Sequence, residues 1–126
     1  LRSPMPHHTV VLQNLAKLAT GASVLRPDII AGALKNQAQH KENRPAMAEQ
    51  KSVLLALSRL AISENTSTDV KEAASCALRD LSFCETCRTK MAIMPVLLAL
   101  VKVANSDTHH SSRRYAVDAM LNLTGE

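Results

Sequence analysis

Two nearly identical nonapeptides constrain this chain more than any other feature. VLLALSRLA begins at Val53 and VLLALVKVA begins at Val96, 43 residues later. A looser copy, VLQNLAKLA, begins at Val11, another 42 residues upstream. Within the middle copy Val53, Leu57, Leu60 and Ala61 stand at i, i+4, i+7 and i+8, one face of a helix. Polar breaks follow each copy: Thr20-Gly21-Ala22-Ser23, Ser63 to Thr68, and Asn105-Ser106-Asp107. After each break a second helix type begins, marked by ALKN from Ala33, ALRDL from Ala77 and AMLNL from Ala119. These marks lie 44 and 42 residues apart, so two independent marks share one period.

A shorter element precedes two of the units. NRPAM starts at Asn43 and CRTKM at Cys87, again 44 apart. Pro45 falls in the first turn of that element, where a missing backbone N–H costs nothing. The unit is therefore a short helix, a helix and a longer helix in 42 to 44 residues, a period that means a helical solenoid. The first unit lacks its short helix. Aromatics are 2% of the chain, so the core is expected from Leu, Val, Ile, Met and Ala.

On the segments NRPAMAEQKSVLLALSRLA, VKEAASCALRDLS, CRTKMAIMPVLLALVKVA and RRYAVDAMLNLT the chain resembles an armadillo-repeat protein, over roughly residues 9 to 125. The resemblance implies an all-α, right-handed α-solenoid of about three repeats, near 9–38, 40–82 and 84–124. Residues 1–8 read as a linker or disordered end, and 9–126 as the repeat domain. There are departures. The glycine usual between the first two helices is replaced by Glu49-Gln50 and Ile93-Met94, and Gln37 stands where Leu81 and Leu123 are apolar. These features leave a HEAT-like variant of the solenoid open.

A unit with no neighbour cannot bury both of its apolar faces. Leu121 and Leu123 lie close to the last residue, so the ends read as uncapped: a fragment of a longer array, or ends covered by another chain, with end-to-end self-association as one outcome.

Helical spacing assigns the faces of the longer helix. Ala74, Ala77, Leu78 and Leu81 group on the core side. The opposite stripe reads Asp28, Gly32, Asn36, then Glu72, Cys76, Asp80, then Arg114, Asp118, Asn122. By the resemblance this helix lines the concave groove, and the last residue of each triplet, an Asn in the family, holds the backbone of an extended peptide. A carboxamide offers the donor and the acceptor that a peptide bond requires. Asn36 and Asn122 match, while Asp80 departs. The Trp that importin-type relatives carry four residues earlier is absent, with Gly32, Cys76 and Asp118 in its place, so recognition of nuclear-localisation peptides is not carried over. The stripe holds four acids (Asp28, Glu72, Asp80 and Asp118) and one base, Arg114, in a chain of net charge +4. Basic charge is therefore expected elsewhere: an outer ladder of Lys17, Arg59 and Lys102, and the matched pair Arg44 and Arg88 of the short helix.

The expected function is a non-enzymatic scaffold or adaptor, binding an extended basic peptide or a folded protein partner on the concave face. The alternative is nucleic-acid binding through the outer ladder, which a groove leaning acidic does not favour. An enzymatic class would rest on Cys76, Cys84, Cys87 and the histidines. Cys84-Glu85-Thr86-Cys87 invites a zinc or redox reading, but zinc needs four ligands and the only nearby His pair is His109-His110. A thioredoxin-like site would need a strand before it. No phosphate loop, no cofactor and no metal is called for. Three cysteines, an odd number, suit a reducing, intracellular compartment, cytoplasmic or nuclear. No apolar run is long enough to span a membrane, and no segment has the pattern of a secretory signal.

Overall fold

The computed structural model of the protein describes residues 26–106 and 110–125. The copy that begins at Val11, Lys17, the 1–8 segment and His109 lie outside the described residues. Among the described residues the fold is all-α: α1 (Pro27–Ala38), a 3-10 turn (Lys41–Asn43), α2 (Arg44–Glu49), α3 (Lys51–Ile62), α4 (Thr68–Ser82), α5 (Glu85–Met91), α6 (Met94–Ala104) and α7 (His110–Leu123).

Helix starts follow from local chemistry. Ser67 caps α4, its hydroxyl accepting the Val70 N–H at 3.3 Å, with Asp69 in the first turn where the helix end is positive. Pro27, Pro45 and Pro95 each sit in the first turn of their helix, where no intrahelical partner is lost. The corners between the first two helices of a unit explain the absent glycines. Gln50 turns the chain from α2 into α3 at φ −88°, and Ile93 does so before α6 at φ −119°. Both angles suit any L residue, so no glycine is required.

Helices of one type lie against helices of the same type. α1 packs on α4 and α4 on α7; α3 packs on α6; α2 packs on α5. Within a unit α3 runs along α4, and α6 along α7. Matched sequence positions accordingly share an environment. Val53 and Val96 are fully buried, as are Leu57 and Leu100, Met47 and Met91, and Leu34 and Leu78. The expected core side of α4 is borne out, since Ala74, Ala77, Leu78 and Leu81 are all completely buried. Ala116 and Ala119 bring the same small surface to α7, which lets neighbouring long helices approach closely. Each buried leucine in this core contributes about 1.5–3 kcal/mol relative to exposure.

One device closes the corner after both α1 and α4. Arg44 Nε donates to the Ala38 carbonyl at 2.7 Å and its Nη2 to the Gln39 carbonyl at 3.4 Å. Arg88 repeats this 44 residues later, on the Ser82 carbonyl at 2.7 Å and the Phe83 carbonyl at 3.4 Å. The last carbonyls of a helix lack intrahelical donors and carry partial negative charge, so a guanidinium satisfies both needs. Gln37 is accounted for in the same corner. Its side-chain oxygen accepts from Asn43 Nδ2 at 2.8 Å, and the same amide reaches the Gln37 carbonyl at 3.3 Å. One unit later those two positions hold Leu81 and Cys87, both buried in the apolar core. A polar pair thus stands where the next unit has an apolar pair.

Candidate functional site

Because α1, α4 and α7 lie side by side in that order, the stripe expected on the long helices becomes three adjacent rows. The rows are not equally open. Asp28, Gly32 and Asn36 on α1 are exposed. On α4 Glu72 is half-buried, but Cys76 and Asp80 are buried. On α7 Arg114 is exposed, while Asp118 and Asn122 are half-buried.

Asp80 is held by its own neighbour. Arg79 places Nη2 at 3.0 Å and Nε at 3.2 Å from Asp80 Oδ1. The guanidinium in turn lies between two rings, 4.7 Å from the Tyr115 centroid and 5.4 Å from that of Phe83. Arg44 approaches Phe83 as well, at 5.9 Å. These distances are those of cation–π contacts, strongest where water is excluded. Cys76 completes the cluster: its Sγ is 3.7 Å from Arg79 Nη2 and 3.9 Å from Asp80 Oδ2. Burial pushes the Cys76 thiol up, the Asp80 carboxylate adds to the rise, and Arg79 only partly opposes it. The Tyr115 hydroxyl is pushed up too, first by burial and then by Cys76 and Glu72.

The two asparagines of the stripe differ in their engagement. Asn122 Nδ2 donates to Ser82 Oγ at 2.9 Å, across the boundary between α7 and α4. Ser82 is oriented for this by donating its own proton to the Arg79 carbonyl at 2.6 Å. Asn36 is exposed. So the face offers Asn36, Glu72, Asp118, Arg114 and Asp28 as hydrogen-bonding or charged groups, Asp28 lying 3.8 Å from Arg26. Asp80 is already satisfied by Arg79.

The outer basic residues are also placed. Arg59 and Lys102 are exposed on α3 and α6. Lys102 borders an open cleft of about 350 Å³, together with Lys71, Glu64 and Ser112. The CxxC lies at the start of α5. Cys84 stands at the N-cap position of that helix without a side-chain capping bond, partly exposed, with its Sγ 3.3 Å from Thr86 Oγ1. Partial burial raises this thiol, but hydrogen bonds with Cys87 and Thr86 more than offset that, and it lies below the usual thiol range. Cys87 is buried, and burial followed by its contact with Cys84 pushes it up to about 12. Among the described residues no group of three His, Cys, Asp or Glu side chains could hold a metal ion. His110 opens α7 and is exposed.

The cation–aromatic cluster was not legible beforehand. Phe83 and Tyr115 are the only aromatics in the chain, 32 positions apart, and nothing local says that Arg79 lies between them. The Arg44/Arg88 match did carry a signal in its 44-residue spacing, but the carbonyl partners could not be read from it. No protein-family model matches the chain, and no curated protein matches it. Among the described residues no helix is long and apolar enough to cross a membrane.

Proposed function

We propose that this chain is an armadillo-like, right-handed α-solenoid of about three units, acting as a non-enzymatic scaffold that binds an extended basic segment of another protein along α1, α4 and α7. The observation that carries the reading is the packing of like helices on like, which sets three copies of one face side by side. Two further features support it. Glu72, Asp118 and Asp28 outnumber Arg114 on that face, with Asp28 also 3.8 Å from Arg26, and the remaining acidic excess favours a lysine- or arginine-bearing partner. Phe83, exposed beside Arg79 and Arg44, offers an apolar surface on which an aliphatic side-chain stem can lie.

The test is anisotropy titration of a labelled, extended, lysine-rich peptide. The double change Glu72→Lys and Asp118→Lys is expected to weaken binding at least about tenfold, and rising salt to weaken the wild type as well. Unchanged affinity in the double variant removes this face from the reading. A duplex DNA probe serves as the second arm. Steeply salt-dependent DNA binding, lost on Arg59→Glu with Lys102→Glu, would move the function to the outer ladder.

A further inference from the structure

Two of the three cysteines stand at one corner, and the repeat does not account for them. Cys84 immediately precedes α5 and Cys87 lies in its first turn. One unit earlier those positions hold His40 and Asn43, so the dithiol is no part of the repeated pattern. The Cys87 backbone N–H donates to the Cys84 carbonyl at 3.0 Å. A turn closed in that way holds its end Cα atoms within about 7 Å, and a disulfide spans about 4.4–6.8 Å, so the pair can be bridged with little backbone movement. Arg88 clamps the residues just before Cys84, through the Ser82 and Phe83 carbonyls.

The two thiols differ in access. Cys87 is 1% exposed and belongs to the apolar core, whereas Cys84 is only partly buried against it. A dissolved reagent therefore meets Cys84 first, and Cys87 reacts only with what Cys84 carries. Thiol chemistry runs in the same order. Cys84 lies below the usual thiol range, which raises its thiolate fraction near neutral pH. Cys87 is pushed up to about 12, first by burial and then by Cys84. Bonding the Cys84 sulfur removes the second cause and leaves burial, which Arg44 opposes.

We infer that Cys84 and Cys87 form a reversible disulfide, with Cys84 the site at which a small disulfide such as oxidised glutathione enters and Cys87 the thiol that displaces it. In the first step the Cys84 thiolate attacks one sulfur of the small disulfide; that S–S bond breaks and one small thiolate leaves with the electron pair. In the second, Cys87 gives its proton to water and attacks the Cys84 sulfur; the mixed disulfide breaks and the second small thiolate leaves. Both small thiolates take up protons, so two protein thiols are oxidised while one small disulfide is reduced to two thiols. Cys76 takes no part, being buried on α4 against Arg79 and Asp80. The bond is independent of what the acidic face binds.

Trypsin separates the sites, with Cys84 and Cys87 in Asp80–Arg88 and Cys76 in Glu72–Arg79. The full chain is exposed to oxidised glutathione at pH 8, quenched in acid, unfolded, alkylated and digested for mass spectrometry. Asp80–Arg88 is expected unalkylated and lighter by two hydrogens, with Glu72–Arg79 alkylated; dithiothreitol before alkylation should restore both thiols. Cys87→Ala is expected to stop at the first step, with glutathione left on Cys84. Cys84→Ser changes a partly exposed side chain, so its circular dichroism melt should match the wild type. In that variant Cys87 should react at least about tenfold more slowly than Cys84 does in the wild type. A wild type whose Asp80–Arg88 peptide keeps both thiols or retains glutathione, a Cys84→Ser variant modified at Cys87 as fast as the wild type is at Cys84, or a disulfide joining two copies overturns the inference.

Discussion

Leu54 and Leu97 occupy the same position in successive units, on the same side of the same helix type, yet Leu54 is 1% exposed and Leu97 36%. Replacing each by alanine isolates the value of a covering unit. At Leu54 the change removes a fully enclosed side chain and leaves a cavity, which costs about 2–5 kcal/mol. At Leu97 roughly two thirds of the burial term applies and solvent fills the space, so the cost is about 1–2 kcal/mol. For a chain of this size each kcal/mol lowers Tm by about 3–6 °C. At mid-range the difference is about 2 kcal/mol, so in dilute solution Leu54→Ala is expected to melt roughly 6–12 °C below Leu97→Ala, and urea midpoints should keep that order. Equal destabilisation of the two variants in dilute solution would refute the reasoning. Leu97 would then be as enclosed as Leu54, and stacking of like helices would not account for the burial pattern.

Arg88→Met keeps the aliphatic stem and removes the donors to the Ser82 and Phe83 carbonyls; it is expected to cost about 1–3 kcal/mol in urea unfolding, and Arg44→Met a similar amount. Asn43→Ala leaves the half-buried Gln37 side-chain oxygen short of a donor and should cost about 1–3 kcal/mol, whereas Asn43→Cys with Gln37→Leu, the pair found one unit later, should recover most of that loss in a double-mutant cycle. The Cys87 thiol is raised to about 12 in the fold against an ordinary 9.0, so its contribution to stability is complete below about pH 9. Above that the unfolded chain ionises and the folded one does not, and stability falls by up to about 1.4 kcal/mol per pH unit until pH 12. The slope should flatten in Cys87→Ala, measured by urea unfolding between pH 8.5 and about 10.5. The contrast between the two thiols predicts that iodoacetamide modifies Cys84 well before Cys87 at pH 8, read by peptide mass spectrometry.

What the chain states by itself is what repeats locally. The 42- to 44-residue period and the helical spacing of Leu, Val and Ala assigned Val53, Leu57, Val96, Leu100, Ala77 and Leu78 to a core, because burial at those positions follows from a helix presenting one apolar side to its own unit. Side chains whose surroundings come from another unit could not be read this way. Leu54 and Leu97 are the same residue in the same local sequence, and only the presence of α6 over α3 separates them. Cys76 and Asp80 sat on a stripe that looked open, and the approach of α7, with Tyr115 stacked on Arg79, encloses them. Asn122 donates to Ser82, 40 positions away, a partner that nothing in its own helix indicates. Helix propensity and amphipathic spacing act over one or two turns, so a single chain segment records them. Enclosure and hydrogen-bond partnership between units depend on which surfaces meet, and only the packed tertiary structure decides that.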